Sequence, residues 1–432
     1  MVFIFTDLIL QLKSLSINSS FLPSPSTPGL FPESTVSPFL VQDFAVIMIV
    51  AAIMLGITFK LRKPMVLGYI VAGMLIGPYT PPFSLIHDLD IVNAFAELGI
   101  VMLLFIVGTE FPIAKLRSVG RISVIVALSE TMGTLILSFF VAQALHLSYV
   151  DSIFLALAMS ITSTVITIRI LEELNMVRDK STTLLLGISI VEDIIAIAAL
   201  GIIEPLAEQS LSGLVEGNGL PVLPITFSVL IVTGFIGLTV VLGSRFIPTI
   251  IDTVGRLNNY TLLLILILGL AFGLSLIANS LGLSVATGAF LAGVLVAESK
   301  SSPAARVITM PLRDMFAAIF FISIGALMDI SLVPFFILPA LVLMLASFAS
   351  KLLIVSGILA ISKYDSDTAL RTGLGMASAK GELSLVVAKT GQEVAGVNST
   401  IFPIVGVITL ITAFMTPYIL RFGSRFNLSS SK

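Results

Sequence analysis

Apolar runs, separated by short polar breaks, follow one another along almost the whole chain. Runs suited to crossing a roughly 30 Å hydrocarbon layer as helices lie at 41–60, 65–79, 93–112, 121–146, 151–171, 183–204, 222–243, 259–279, 283–298, 311–329, 333–361, 372–393 and 400–420. Open sheets cannot satisfy their backbone in lipid, so this pattern predicts an all-α membrane protein of about 13 transmembrane helices. Runs 65–79 and 283–298 are short for a span and need protein neighbours. Asn279-Ser280-Leu281-Gly282 keeps 259–279 and 283–298 from merging into one long helix.

The runs repeat. Gly68-Tyr-Ile-Val-Ala-Gly73 resembles Gly288-Ala-Phe-Leu-Ala-Gly293, and Leu103-Leu-Phe-Ile-Val-Gly108 resembles Phe320-Phe-Ile-Ser-Ile-Gly325. Ala158-Met159 matches Gly375-Met376 in the same order. Each partner lies seven spans later. Seven is odd, so the copies face opposite ways: six spans, a connecting helix at 222–243, and six inverted spans. Two spans carry polar breaks at matching positions, Ser160-Ile161-Thr162-Ser163-Thr164 and Ala377-Ser378-Ala379-Lys380-Gly381-Glu382. Inverted repeats with interrupted helices are the architecture of secondary transporters, whose substrate site lies near the midplane.

Composition and charge agree. The 432 residues are 57% hydrophobic and 11% charged, against roughly 25% charged in soluble domains. A net charge of −2 without a basic stripe excludes a nucleic-acid partner. The chain has no cysteine and two histidines, which excludes thiolate and histidine-rich metal sites. Alternate loops hold eighteen of the 23 Lys and Arg. The positive-inside rule then predicts an outside N-terminus and a cytoplasmic C-terminus. Residues 18–38 are rich in Ser and Pro, and 1–40 read as an N-terminal extracytoplasmic segment.

Ionisable residues inside the membrane are expensive and need a partner or a wet cavity. Glu192-Asp193 lies at the centre of 183–204, and Lys351 near the middle of 333–361. Neighbouring helical side chains point about 100° apart, so the two acids serve different partners. One pairs with Lys351 and the other is left for a cation or a proton. Glu130, and Lys380 with Glu382, read as supporting core charges that bridge helices. Glu110 and Lys389 lie near span ends and read as snorkelling side chains.

Thr162-Ser163-Thr164, Glu192-Asp193, Lys351 and Lys380-Gly381-Glu382, together with Gly288–Glu298 and Phe320–Gly325, resemble the monovalent cation:proton antiporter-2 family over 41–422. The resemblance implies the sodium/proton antiporter fold, with its two broken helices crossing, in a homodimer in the cell (inner) membrane. It divides the chain into a dimerisation panel (41–112 and 259–329) and a mobile ion-binding core (119–204 and 333–422). Asp193 would bind the transported ion, and Glu192 stands where relatives carry Asp or Gln. The resulting expectation is a transporter, not an enzyme, exchanging Na⁺ for protons by elevator-like alternating access with no cofactor. Thr162 and Ser163 would complete an oxygen shell around the cation. Lys351 would be a salt-bridge partner and proton carrier. A K⁺/H⁺ antiporter of the potassium-efflux type is the alternative, and an organic-anion symporter of the same fold is the rival from another class. Li⁺ is a further candidate cation.

Overall fold

The computed structural model describes residues 40–425 apart from 62, 81–84, 87, 111–119, 175, 177–178, 212–233, 236, 282, 394–397 and 399. The expected extracytoplasmic segment, except residue 40, and the first twelve residues of the expected connecting helix lie outside the described residues.

Every regular element among the described residues is helical. In chain order the α-helices are α1 Leu40–Leu61, α2 Met65–Ile76, α3 Leu89–Thr109, α4 Arg121–Ala144, α5 Tyr149–Ser160, α6 Thr164–Glu173, α7 Lys180–Leu211, α8 Ser244–Gly255, α9 Tyr260–Ser280, α10 Val285–Ala297, α11 Ser302–Ala326, α12 Val333–Ile361, α13 Ser366–Ser378, α14 Glu382–Glu393 and α15 Ile401–Arg425. Eight are long and apolar enough to cross a membrane, namely α1, α3, α4, α7, α9, α11, α12 and α15. The shorter apolar helices α2, α5 and α10 correspond to the two short runs and the first half of 151–171. Large apolar side chains stand on outer faces, such as Leu262, Ile265 and Leu276 of α9 and Phe335 and Leu353 of α12, where lipid rather than water suits them.

Two differences from the sequence reading have plain causes. α8 falls between the apolar runs 222–243 and 259–279; its 12 residues carry Arg245 and an internal Pro248, and it is too short to span. α11 begins at Ser302 rather than 311, because Pro303 suits the first turn of a helix and Pro311 is accommodated inside it.

The helices pack in two neighbourhoods. In one, α3 packs on α10 and α11, and α11 on α2, with α1 on α2 and α9 on α10. In the other, α4, α5, α7, α12, α13, α14 and α15 surround the two helix breaks. The first is drawn together by glycines in reciprocal crossings: Gly73 of α2 against Gly325 of α11, and Gly108 of α3 against Gly293 of α10. A methyl group at Gly293 would run into the Phe105 carbonyl oxygen, and one at Gly73 into that of Ile322. Small residues at such crossings permit the close backbone packing that holds membrane helices together. Gly293→Ala and Gly73→Ala are therefore each expected to cost about 1–3 kcal/mol, read as a lower unfolding temperature in detergent. Gly269→Ala is the control: nothing lies within 4 Å of its Cβ position, so stability should hold or rise by up to about 1 kcal/mol.

Candidate functional site

The site is built on the two interrupted spans. α5 stops at Ser160 and α6 starts at Thr164, with Ile161 extended between them (φ −98°, ψ 140°). α13 stops at Ser378 and α14 starts at Glu382, with Ala379 extended (φ −119°, ψ 136°). Hydroxyl side chains that satisfy the backbone locally make such breaks possible. Ser163 caps α6 by accepting from the Ile166 N–H, and the Ser160 hydroxyl donates to Leu157 O at 2.8 Å. Gly381 lets the two breaks touch, since a side chain there would strike Ser163.

The breaks are bonded to each other. Ser163 N donates to Ala379 O at 2.9 Å, and Thr162 Oγ1 donates to Met376 O at 2.7 Å. The Lys380 ammonium reaches across to Ile161 O at 3.1 Å and to Met159 O, which also accepts from Ser347 Oγ at 2.9 Å. A cation is favoured at that point, where α5 ends and leaves carbonyls without helical partners. Lys380 thus bridges the second break to the end of α5, and among the described residues it makes no ion pair with Glu382.

Behind the breaks lies a network with no exposed surface. Lys351 Nζ of α12 sits 2.9 Å from Glu130 Oε2 of α4, 3.1 Å from Glu192 Oε2 of α7 and 2.9 Å from Thr162 Oγ1. Glu130, Glu192 and Lys351 are each 0% exposed. The other oxygen of Glu192 accepts from the backbone N–H of Thr162. Glu192 thus holds both the lysine and the first break, and Glu130 bridges α4 to α12.

Asp193 points elsewhere. It is 6% exposed, yet makes no hydrogen bond or ion pair with any described residue. It lines a small cavity of about 30 Å³, together with Thr162, Ser163, Thr164, Gly381, Glu382 and Glu110. That volume suits a water molecule or a small ion. The Thr164 hydroxyl on the same wall has no hydrogen-bond partner. Val107, Glu110 and Glu382 also line a second cavity of about 360 Å³, bordered by Lys63, Arg313 and Asp314. Lys63, at its rim, donates to the Tyr418 hydroxyl at 3.0 Å and lies 4.3 Å from the Phe414 ring centre.

The structure therefore gathers Glu130, Thr162, Glu192 and Lys351 in one buried network, and Ser163, Asp193 and Glu382 around one cavity. Two readings are corrected. Glu110, read as snorkelling at a span end, lies on the walls of both cavities. Lys389, read the same way, is 6% exposed and donates to Asn93 Oδ1 of α3 at 2.9 Å. Its apolar run placed it near a span end, but its amine is buried and turned to Asn93 of α3. Thr164 was also missed as a wall residue; the signal was its place at the end of the hydroxyl run.

A sequence profile for transmembrane sodium/hydrogen exchangers matches residues 45–422. The chain belongs to this family. It is 31% identical to a putative cation/proton antiporter, YbaL, of Escherichia coli (strain K12), over 80% of the chain and 61% of that protein. It is 27% identical to K(+) efflux antiporter 4 of Arabidopsis thaliana, over 88% of the chain and 63% of that protein. The chain thus spans about three fifths of the length of these two curated relatives. Its fold matches that of the sodium proton antiporter MjNhaP1 from Methanocaldococcus jannaschii with a TM-score of 0.64 over 90% of the chain and 97% of that structure, at 18% identity. At that identity the likeness speaks for the fold alone. The family and relatives agree with the resemblance read from the sequence motifs.

Proposed function

We propose that this protein exchanges a monovalent cation for protons across a membrane, with Asp193 as the shared site. The observation that carries the reading is Asp193 itself: a buried carboxylate that bonds to no described residue and lines a cavity walled by oxygen-bearing side chains. Such a group takes a cation or a proton, and the two exclude each other. Ser163, Thr162 and Thr164 supply hard oxygen ligands beside it. Thr162 would contribute least, since its hydroxyl is committed to Met376 O and Lys351. Na⁺ is our first choice of cation. K⁺ is the second reading, favoured by the potassium-efflux antiporter among the relatives.

The reciprocal glycine crossings support an inverted repeat, because the residues that meet, Gly73 with Gly325 and Gly293 with Gly108, belong to opposite copies. In our reading the first helix neighbourhood is the fixed dimer panel and the second the core that carries the ion past it. The basic residues Lys63 and Arg313 beside the larger cavity support a cytoplasmic opening. The membrane in this reading is the cell (inner) membrane.

Purified protein in liposomes loaded with a pH-sensitive dye tests the proposal. Na⁺, K⁺ and Li⁺ gradients are imposed in turn, and proton movement should follow at least one. Solute uptake that needs an organic anion and ignores these cations would favour the rival symporter and overturn the exchange reading.

Alternating access adds an expectation for Lys389. Its bond to Asn93 joins core helix α14 to panel helix α3. An elevator stroke separates these residues. The chain has no cysteine, so Asn93→Cys with Lys389→Cys gives one defined crosslinking pair. A short bifunctional thiol reagent should stop exchange in proportion to crosslink yield, and reduction should restore it. Unchanged exchange at high yield would contradict a moving core.

A further inference from the structure

The lysine network bears on how many protons move. A lone Lys351–Glu192 bridge would leave the lysine without a counterion whenever cation binding at Asp193 disturbed Glu192, and Lys351 could then shed a proton in each cycle. The structure adds a second counterion. Glu130 Oε2 lies 2.9 Å from Lys351 Nζ, as close a partner as Glu192 Oε2 at 3.1 Å. Glu130 comes from α4 and does not line the Asp193 cavity.

The hydrogen-bond inventory points the same way. A protonated lysine has three N–H donors and no acceptor. Three acceptors surround it: Glu130 Oε2, Glu192 Oε2 and Thr162 Oγ1. The Thr162 hydroxyl hydrogen is taken by Met376 O at 2.7 Å, so its oxygen faces Lys351 as an acceptor. A neutral amine would turn a lone pair toward one of three acceptors. Glu192 is equally committed, to the Thr162 N–H and to Lys351.

We infer that Glu130 is a positioning residue for exchange: it holds Lys351 protonated through the cycle, so Asp193 alone trades a proton for the cation and the exchange is electroneutral. The inference rests on the proposed exchange function. The charged groups facing Lys351 are Glu130 and Glu192, with Lys380 nearby on the second break. Those facing Asp193 are Glu192, Glu382, Lys351 and Glu110. Glu382 and Glu110 border the larger cavity, where water can screen them. Lys380 is fixed on the Ile161 and Met159 carbonyls.

The test finds, in liposomes, the cation gradient that just cancels a fixed pH gradient, at zero potential and at an imposed 100 mV. If one net charge moved per turnover, 100 mV would be worth about 2.3 kcal/mol, shifting that null gradient about 50-fold. The native protein should show no shift. Glu130→Gln leaves Lys351 with one carboxylate and should bring a shift into view, while Glu130→Asp should keep the native null point. A native null point that moves with voltage overturns the inference and leaves the exchange reading standing. Absence of cation-driven proton movement overturns both. A folded, active Glu130→Gln protein with a voltage-independent null point removes Glu130 from this role. The native measurement decides the stoichiometry whether or not the variant folds.

Discussion

Asp193→Asn is expected to fold as the native protein does and to move no protons in response to Na⁺, K⁺ or Li⁺. The amide has the shape of the carboxylate, and the side chain makes no bond with any described residue that the change would break. Its thermal unfolding should stay within about 1 kcal/mol of native, as for changes that leave packing and buried bonds intact. What disappears is the charge. An amide has no negative charge for a hard cation and no proton to give up near neutral pH, so both halves of the exchange fail together. Dye-loaded liposomes read the loss, and an unfolding curve in detergent confirms that the protein is intact. Substantial cation-driven proton movement by the folded variant would remove Asp193 from the mechanism.

The largest stability effect is expected at Lys351. Lys351→Gln removes the cation shared by Glu130 and Glu192, and both acids are fully buried. Breaking a buried pair by removing one partner costs about 3–5 kcal/mol, because the remaining charge is stranded away from water. Here two carboxylates would face each other, and α4, α7 and α12 would lose their common anchor. The unfolding temperature should fall well below native. Adding Glu130→Gln and Glu192→Gln should recover much of the loss, since a neutral network carries no stranded charge. The three changes must be non-additive, because the residues share one network. Native stability in Lys351→Gln alone would show that the ion pairs do not hold the core.

Much of this architecture is legible in the sequence, because lipid enforces simple rules. Apolar runs of span length became helices, as at Leu89–Thr109 and Tyr260–Ser280. Ser160 to Thr164 and Ala377 to Glu382 announced the helix breaks, because hydroxyls, Gly381 and charges are out of place in mid-span. Glu192, Asp193 and Lys351 stood out as charges without an excuse. The partners were not legible. That Glu130 shares Lys351 depends on how α4 packs on α12, residues 221 apart in sequence. That Lys380 finds its partners in the carbonyls at the end of α5 depends on the contact between the breaks. Glu110 and Lys389 were misread for one reason: position along a span says how deep a residue lies, but not which helix stands beside it. The glycine repeats were visible as strings, whereas their crossing with the opposite copy is a three-dimensional fact.

The central claim is that one carboxylate serves cation and proton in turn, and the most direct measurement needs no membrane. Purified protein in detergent, in a weakly buffered solution, is titrated with Na⁺ and then with K⁺ while released protons are counted. Competition at Asp193 predicts about one proton released per chain at saturation, provided the pH is low enough for Asp193 to begin protonated. It also predicts that apparent cation affinity falls about tenfold for each further unit of decreasing pH. Asp193→Asn should release none. Cation binding without proton release, or equal release from Asp193→Asn, would contradict the shared site.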